Sequence, residues 1–232
     1  VLGDELSAIA SGPTVPDPTT FAEACEILQS KGVWERTPPA VRALLTQGTR
    51  GEIRETPKPG DPLFRNTGFT LIGSNSISVG AIINAAREQG YQAELYSDRL
   101  CGEAREEAEK LAVYAKRRHA AGLGRPLALL AGGETTVTLA GQGRGGRNQE
   151  MALAFAVAAE KQDLTGPWCF LSGGTDGIDG NSTAAGAIAD STLFREAARR
   201  ELVINDFLDD NNANDFFIRV GGVLETGSTG TN

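Results

Sequence analysis

Residues 131–150 read AGGETTVTLAGQGRGGRNQE, and this stretch decides how the rest of the chain is read. An apolar strand over 127–131 runs into Gly132-Gly133-Glu134. A Thr/Val strand over 135–139 follows, then a glycine-rich loop with Arg144 and Arg147. The loop closes on Asn148-Gln149-Glu150, where the spacing predicts a helix over 147–161. Its apolar run MALAFAVAA covers most faces, so the helix is expected to be deeply buried. A glycine loop feeding a helix N-terminus leaves backbone N–H groups unpaired, a common way to hold a phosphate.

A second glycine loop, GGTDGIDG at 173–180, follows the short strand 168–171. Upstream, the pattern predicts strands at 69–72 and 91–96, helices at 77–89 and 103–119, and a turn at 98–102. Downstream it predicts a helix at 191–200, mostly helical or irregular chain at 206–217, and a strand at 223–224. Strands and helices in alternation imply an α/β fold with helices on both faces of the sheet. The neighbouring segments 127–131 and 135–139 are expected to pair antiparallel, giving a mixed sheet.

The first part of the chain has a different texture. Residues 1–18 carry no helical or alternating period. Ser11-Gly12-Pro13-Thr14 is either a ligand-contacting turn or a plain connector. Thr20 and Glu23 form a capping box ahead of a helix at 21–29, and Pro39 opens another over 39–45. The Gly/Pro-rich stretch 48–62 is the best domain boundary, dividing 1–62 from 63–232.

Composition narrows the function. The 232 residues are 40% hydrophobic and 22% charged, enough to build a core. Net charge is −8 and no Lys/Arg run stands out, which argues against a nucleic-acid partner. The apolar runs are too short for a membrane span. Cys25, Cys101 and Cys169 are far apart and form no CxxC, so a reducing, cytoplasmic setting is expected. His119, the single histidine, sits at a charged helix end and excludes a multi-His metal site. The first residue is Val1, and both ends are expected to be cut from a longer enzyme.

Three constellations carry chemistry. Gly141 to Gly146 fits GxGxxG as a string, but the preceding strand alternates polar and apolar residues. The acidic residue expected at the end of the next strand is also missing, which disfavours a dinucleotide site. Arg144 and Arg147 present forked donors that match phosphate or carboxylate oxygens; the alternative is that they pair with Glu134 or Glu150. Glu134, Asp176 and Asp179 are carboxylates set among glycines. They either bind Mg²⁺, orient a hydroxyl as base, or serve as Asp-Gly turn residues.

The strings SGPTVPDPTT (11–20), GGETTVT (132–138), GRGGRNQE (143–150), GGTDGIDG (173–180), AAGA (184–187) and TGSTGTN (226–232) together resemble the C-terminal half of the glycerate 2-kinase family. That family carries the MOFRL module, here about 126–232, and many members bear the label hydroxypyruvate reductase. The resemblance implies an upstream Rossmann-like domain as partner, whose tail leads this chain. It implies transfer of the γ-phosphoryl of ATP to the 2-hydroxyl of D-glycerate, with Mg²⁺, in the cleft between the domains. Carried onto this sequence, Arg147, Arg144 and Asp176 are the expected catalytic residues. Gly132, Gly133, Glu134, Thr135, Gly143, Gly145, Gly146, Asn148, Gln149, Thr229 and Asn232 are expected to line the nucleotide and substrate. Asp179 and Asp176 are the expected metal ligands. Two places depart from the family pattern: Ser228 replaces a proline, and Asn181-Ser182-Thr183 replaces Pro-Thr-Asp. An NAD(P)-dependent reductase of hydroxypyruvate and a non-catalytic ligand-binding fragment are the other readings.

Overall fold

The computed structural model describes residues 5–7, 9, 12–122 and 124–231. Ser11 and Asn232 lie outside them. The chain divides into two compact units, Val1–Ser74 and Asn75–Asn232.

The first unit is built on two helices, α1 (Phe21–Ser30) and α2 (Pro39–Thr49). The capping box forms: the Thr20 hydroxyl accepts from the Glu23 N–H, and the Glu23 carboxylate accepts from the Thr20 N–H. Gly48 is buried under Phe21, where a β-carbon would come within 2.2 Å of the ring. The stretch 48–62 is tied into this unit. Asp17 donates its N–H to Pro57 O, Thr56 donates its hydroxyl to Asp17, and Glu55 caps the Phe21 N–H.

The second unit opens with α3 (Asn75–Glu88). Strand β1 (Gln92–Glu103) leads directly into α4 (Ala104–Ala120), and β2 (Leu127–Thr136) returns parallel to β1. A parallel pair needs a crossover, and α4 supplies it. Helix α5 (Arg147–Lys161) then runs to β3 (Cys169–Gly173). Strand β4 (Gly186–Asp190) lies between β3 and β5 (Val223–Leu224), antiparallel to both. Three short helices, α6 (Leu193–Arg199), α7 (Ile204–Asp209) and α8 (Ala213–Val220), fill the connection from β4 to β5. The unit is therefore mixed α/β, with one parallel and one antiparallel sheet among the described residues.

The core forms around α5, as its composition predicts. Ala152, Leu153, Ala154, Ala156, Ala158 and Ala159 are buried. They pack with Ala104, Ala108 and Ala112 of α4 and with Ala187 and Ala189 of β4 in one cluster. Alanine leaves no long side chain in the way, so elements close to short separations. Phe155 stacks on Phe170 at 4.1 Å and meets Trp168 edge-on at 5.5 Å.

Several local expectations are corrected. The segments 127–131 and 135–139 do not pair with each other. Gly132-Gly133, read as a break, lies inside β2. Gly133 has φ +151°, and a β-carbon there would sit 2.1 Å from Leu100 O. Its missing side chain lets β1 approach and the strand continue. The expected turn at 98–102 lies within β1, whose register slips between Leu95 and Ser97 and again between Ser97 and Leu100. Residues 69–72 form no strand. Phe69 is exposed and Ile72 is 95% exposed, with no neighbouring strand among the described residues to satisfy its backbone. Strand β4 was read only as the motif AAGA.

Candidate functional site

The chemistry-bearing residues gather where β2 and β3 end and α5 begins. In α/β folds the carboxyl ends of strands are where ligands bind. The first turn of α5 is fixed by Asp179, which is fully buried. Its Oδ1 accepts from the N–H and side-chain amide of Asn148, both at 3.0 Å. Its Oδ2 accepts from the N–H of Gln149 at 2.9 Å and its side-chain amide at 3.0 Å. A carboxylate facing the donors of a helix start is favoured by the helix dipole as well as by the bonds. Asp179 is thus the internal anion of this helix terminus. All four of these bonds come from the chain's own amide groups, so Asp179, expected as a metal ligand, stands here as the cap of α5.

From Ala140 to Gly145 the glycine loop is likewise satisfied from within. Ala140 and Gly141 donate their N–H groups to Asn211 Oδ1 at 2.7 and 3.0 Å. Gln142 donates to the Asp210 carboxylate at 2.9 Å, and Gly143 to the Asp210 carbonyl at 2.8 Å. Arg144 donates to Asn212 Oδ1 at 3.0 Å, and Gly145 to Asn181 Oδ1 at 2.9 Å. The N–H groups of Gly143 and Gly145, expected to face a phosphate, are here bonded to protein oxygens. The glycines are there for close approach. A β-carbon on Gly143 would meet Asn212 at 2.3 Å, and one on Gly146 would meet Asp179 Oδ1 at 2.5 Å. Gly132 answers the same need beside Asn75 and Val79.

What remains open to a ligand is a smaller set. Arg144 is exposed, and its guanidinium has no partner among the described residues. Arg147 Nη2 stands 3.5 Å from Glu134 Oε1, with 33% and 58% of the two side chains exposed. Thr135, behind Glu134, is buried. Asp176 turns onto the Ile178 N–H through Oδ1 at 3.2 Å. It flanks Gly174 together with Asn148: a β-carbon at Gly174 would lie 2.7 Å from Asp176 Oδ1 and 3.5 Å from Asn148 Nδ2. Ser172, at the end of β3, donates to Asn148 Oδ1 at 2.8 Å.

The C-terminal segment is fastened to the second loop. Thr229 and Thr231 both donate hydroxyls to Thr175 O, and the Thr229 N–H reaches Asp176 O at 3.3 Å. Gly177 has φ +87° and leaves room for Gly227 O, which a β-carbon would meet at 1.9 Å. Thr229 therefore supports the loop that carries Asp176.

Gln149, expected at the ligand, is fully buried, and sequence reasoning missed the residues that support it: it donates to Ser182 Oγ at 2.8 Å and accepts from Asn214 Nδ2 at 2.7 Å. Asn211 Nδ2 lies 3.1 Å from both oxygens of buried Glu150, whose Oε1 also accepts from Arg105 Nε at 2.6 Å. The available signal was the run Asp210-Asn211-Asn212-Ala213-Asn214, which leaves α7 and enters α8. So many side-chain amides in one turn are costly to bury unless each has a partner. Asn181 and Ser182 serve the same network.

Fold and site together define an α/β protein with a polar cluster built at strand ends around a fixed helix start. Residues 127–232 match the MOFRL family, and residues 1–46 match a domain of unknown function, DUF4147. A glycerate 2-kinase from Pyrococcus horikoshii is 41% identical over the whole chain, which covers 52% of its length. A glycerate kinase from Macaca fascicularis is 34% identical, again over the whole chain and across 68% of its own. The crystal structure of a glycerate kinase from Thermotoga maritima matches all of this chain and 53% of that one, at 35% identity and a TM-score of 0.77. The chain belongs to the glycerate kinase family. It spans about half the length of most of the relatives it matches.

Proposed function

We propose that this chain forms the MOFRL-containing part of a D-glycerate 2-kinase, which transfers the γ-phosphoryl of ATP to the 2-hydroxyl of D-glycerate. The observation that carries this reading is the pair Arg144 and Arg147: the backbone of Arg144 is held on both sides, Arg147 opens α5, and both side chains reach the surface. Phosphoryl transfer asks for positioning and charge neutralisation more than for covalent chemistry, and fixed arginines supply both. Glu134 is an exchangeable partner for Arg147, since an exposed ion pair is worth little. An arriving phosphate or carboxylate displaces it at small cost.

Among the described residues no three His, Cys, Asp or Glu side chains group as a metal cage. Mg²⁺ is commonly held by substrate phosphates and one or two carboxylates, so the residues fit an ion that arrives with ATP. Asp176 is the carboxylate suited to it, or to orienting the attacking hydroxyl. When bound, the ion neutralises charge on the phosphates. Thr229 holds the loop that carries Asp176. The upstream domain implied by the resemblance supplies the facing wall of the cleft.

We place the enzyme in the cytoplasm. Free Cys25, Cys101 and Cys169 fit a reducing compartment, and no described helix is long and apolar enough to cross a membrane. The dinucleotide-dependent reductase reading loses support, because Gly141 and Gly143 of the GxGxxG string have no N–H free for a pyrophosphate. The test is ADP release from Mg·ATP in the presence and absence of D-glycerate. Oxidation of NADH by hydroxypyruvate without any ADP formation sinks the kinase reading.

A further inference from the structure

The turn 210–214 runs beside the glycine loop and matches it bond for bond. Acceptors from Asp210, Asn211 and Asn212 take all the N–H groups from Ala140 through Arg144. The Asn214 N–H returns a bond to Arg144 O at 2.9 Å. Arg144 is thus held from both sides of its own α-carbon, by Asn212 Oδ1 before it and by the Asn214 N–H after it. Its side chain is left exposed. The Asn214 side chain continues to Gln149, and Gln149 to Asp179, so the same turn joins Arg144 to the start of α5 that carries Arg147.

We infer that Asn212 is a positioning residue for the anion site: it sets the backbone of Arg144 and thereby the direction of its guanidinium. This rests on the reading of Arg144 as a ligand contact. Asn212 acts on the loop through a single oxygen, which accepts from the Arg144 N–H. Asp can supply that oxygen and Ala cannot. Asn211 differs, because its nitrogen faces the Glu150 carboxylate and an aspartate there would set two buried carboxylates against each other.

The experiment is calorimetric titration of Mg·ATP and of D-glycerate into the wild type, Asn212→Ala, Asn212→Asp, Arg144→Ala and the double variant Asn212→Ala/Arg144→Ala. Asn212→Ala is expected to weaken one of the two ligands about tenfold, and Asn212→Asp to restore it. In the Arg144→Ala background, Asn212→Ala is expected to add less than about twofold. Full affinity in Asn212→Ala, alongside a loss in Arg144→Ala, overturns the inference and leaves the site reading standing. No loss of either ligand in Arg144→Ala overturns the site reading, and the inference with it. Amide hydrogen exchange on the wild type needs no variant to fold: the exposed Arg144 amide is expected to be protected, and exchange at the unprotected rate rejects the Asn212 bond.

Discussion

The buried carboxylate of Asp179 accepts both the backbone N–H and the side-chain amide of Gln149, at 2.9 and 3.0 Å. Thirty residues of chain separate them. Through this contact the second glycine loop caps the helix that follows the first. The two loops are parts of one rigid corner, and a change at Asp179 is felt at the start of α5.

Asp179→Ala leaves four donors without an acceptor. The expected cost is about 3–5 kcal/mol, the range for removing one partner of a buried charged contact. Urea unfolding of the variant measures it. A loss under about 1 kcal/mol contradicts the capping role.

Arg147 behaves in the opposite way. Its partner Glu134 is more than half exposed, so Arg147→Ala is expected to cost under about 1 kcal/mol of stability. Its effect on D-glycerate phosphorylation is expected to be roughly 10²–10³ in kcat/KM, as for other preorganised donors. Steady-state kinetics and thermal unfolding on one sample separate the two. Normal kcat/KM removes Arg147 from the site.

Gly177→Ala places a β-carbon on Gly227 O at a positive φ. The expected result is release of the 226–231 segment from Thr175 and Asp176, with a loss of about 1–3 kcal/mol. Limited proteolysis reads it directly: cleavage near 226–231 accelerates in the variant. An unchanged digestion pattern counts against the clasp.

Acid stability tests the first unit. Hydrogen bonds from the Thr19 hydroxyl and N–H, and from the Thr56 hydroxyl, hold the Asp17 carboxyl down at about 2. The folded state therefore favours the ionised form more than the unfolded chain does, whose carboxyl titrates near 3.8. This contribution is complete above pH 4 and disappears as pH falls from about 4 to about 2. Asp17→Asn is expected to flatten the fall in unfolding midpoint across that window. Equal slopes for variant and wild type discard the contribution.

Much of the secondary structure was legible because its causes are local. Thr20 and Glu23 announce α1 within four residues of chain, and the alanine-rich run of α5 announces a buried helix. Residues 69–72 look like a strand by the same local rules, yet a strand exists only where another supplies its ladder. Gly132-Gly133 looks like a break for the same reason, because Leu100 is far away in sequence.

The sequence by itself determined the α/β alternation, the two glycine loops, the buried α5, the arginines and the family resemblance. Tertiary structure alone decided what the loops are for. Glycines of the first loop make room for Asn212 and Asp179, and its N–H groups go to Asn211, Asp210, Asn212 and Asn181. Glycine permits both an open phosphate cradle and a close backbone approach, so composition cannot separate the two. The choice depends on which distant oxygen arrives, and only the folded chain brings residues 179, 181 and 210–212 to the loop.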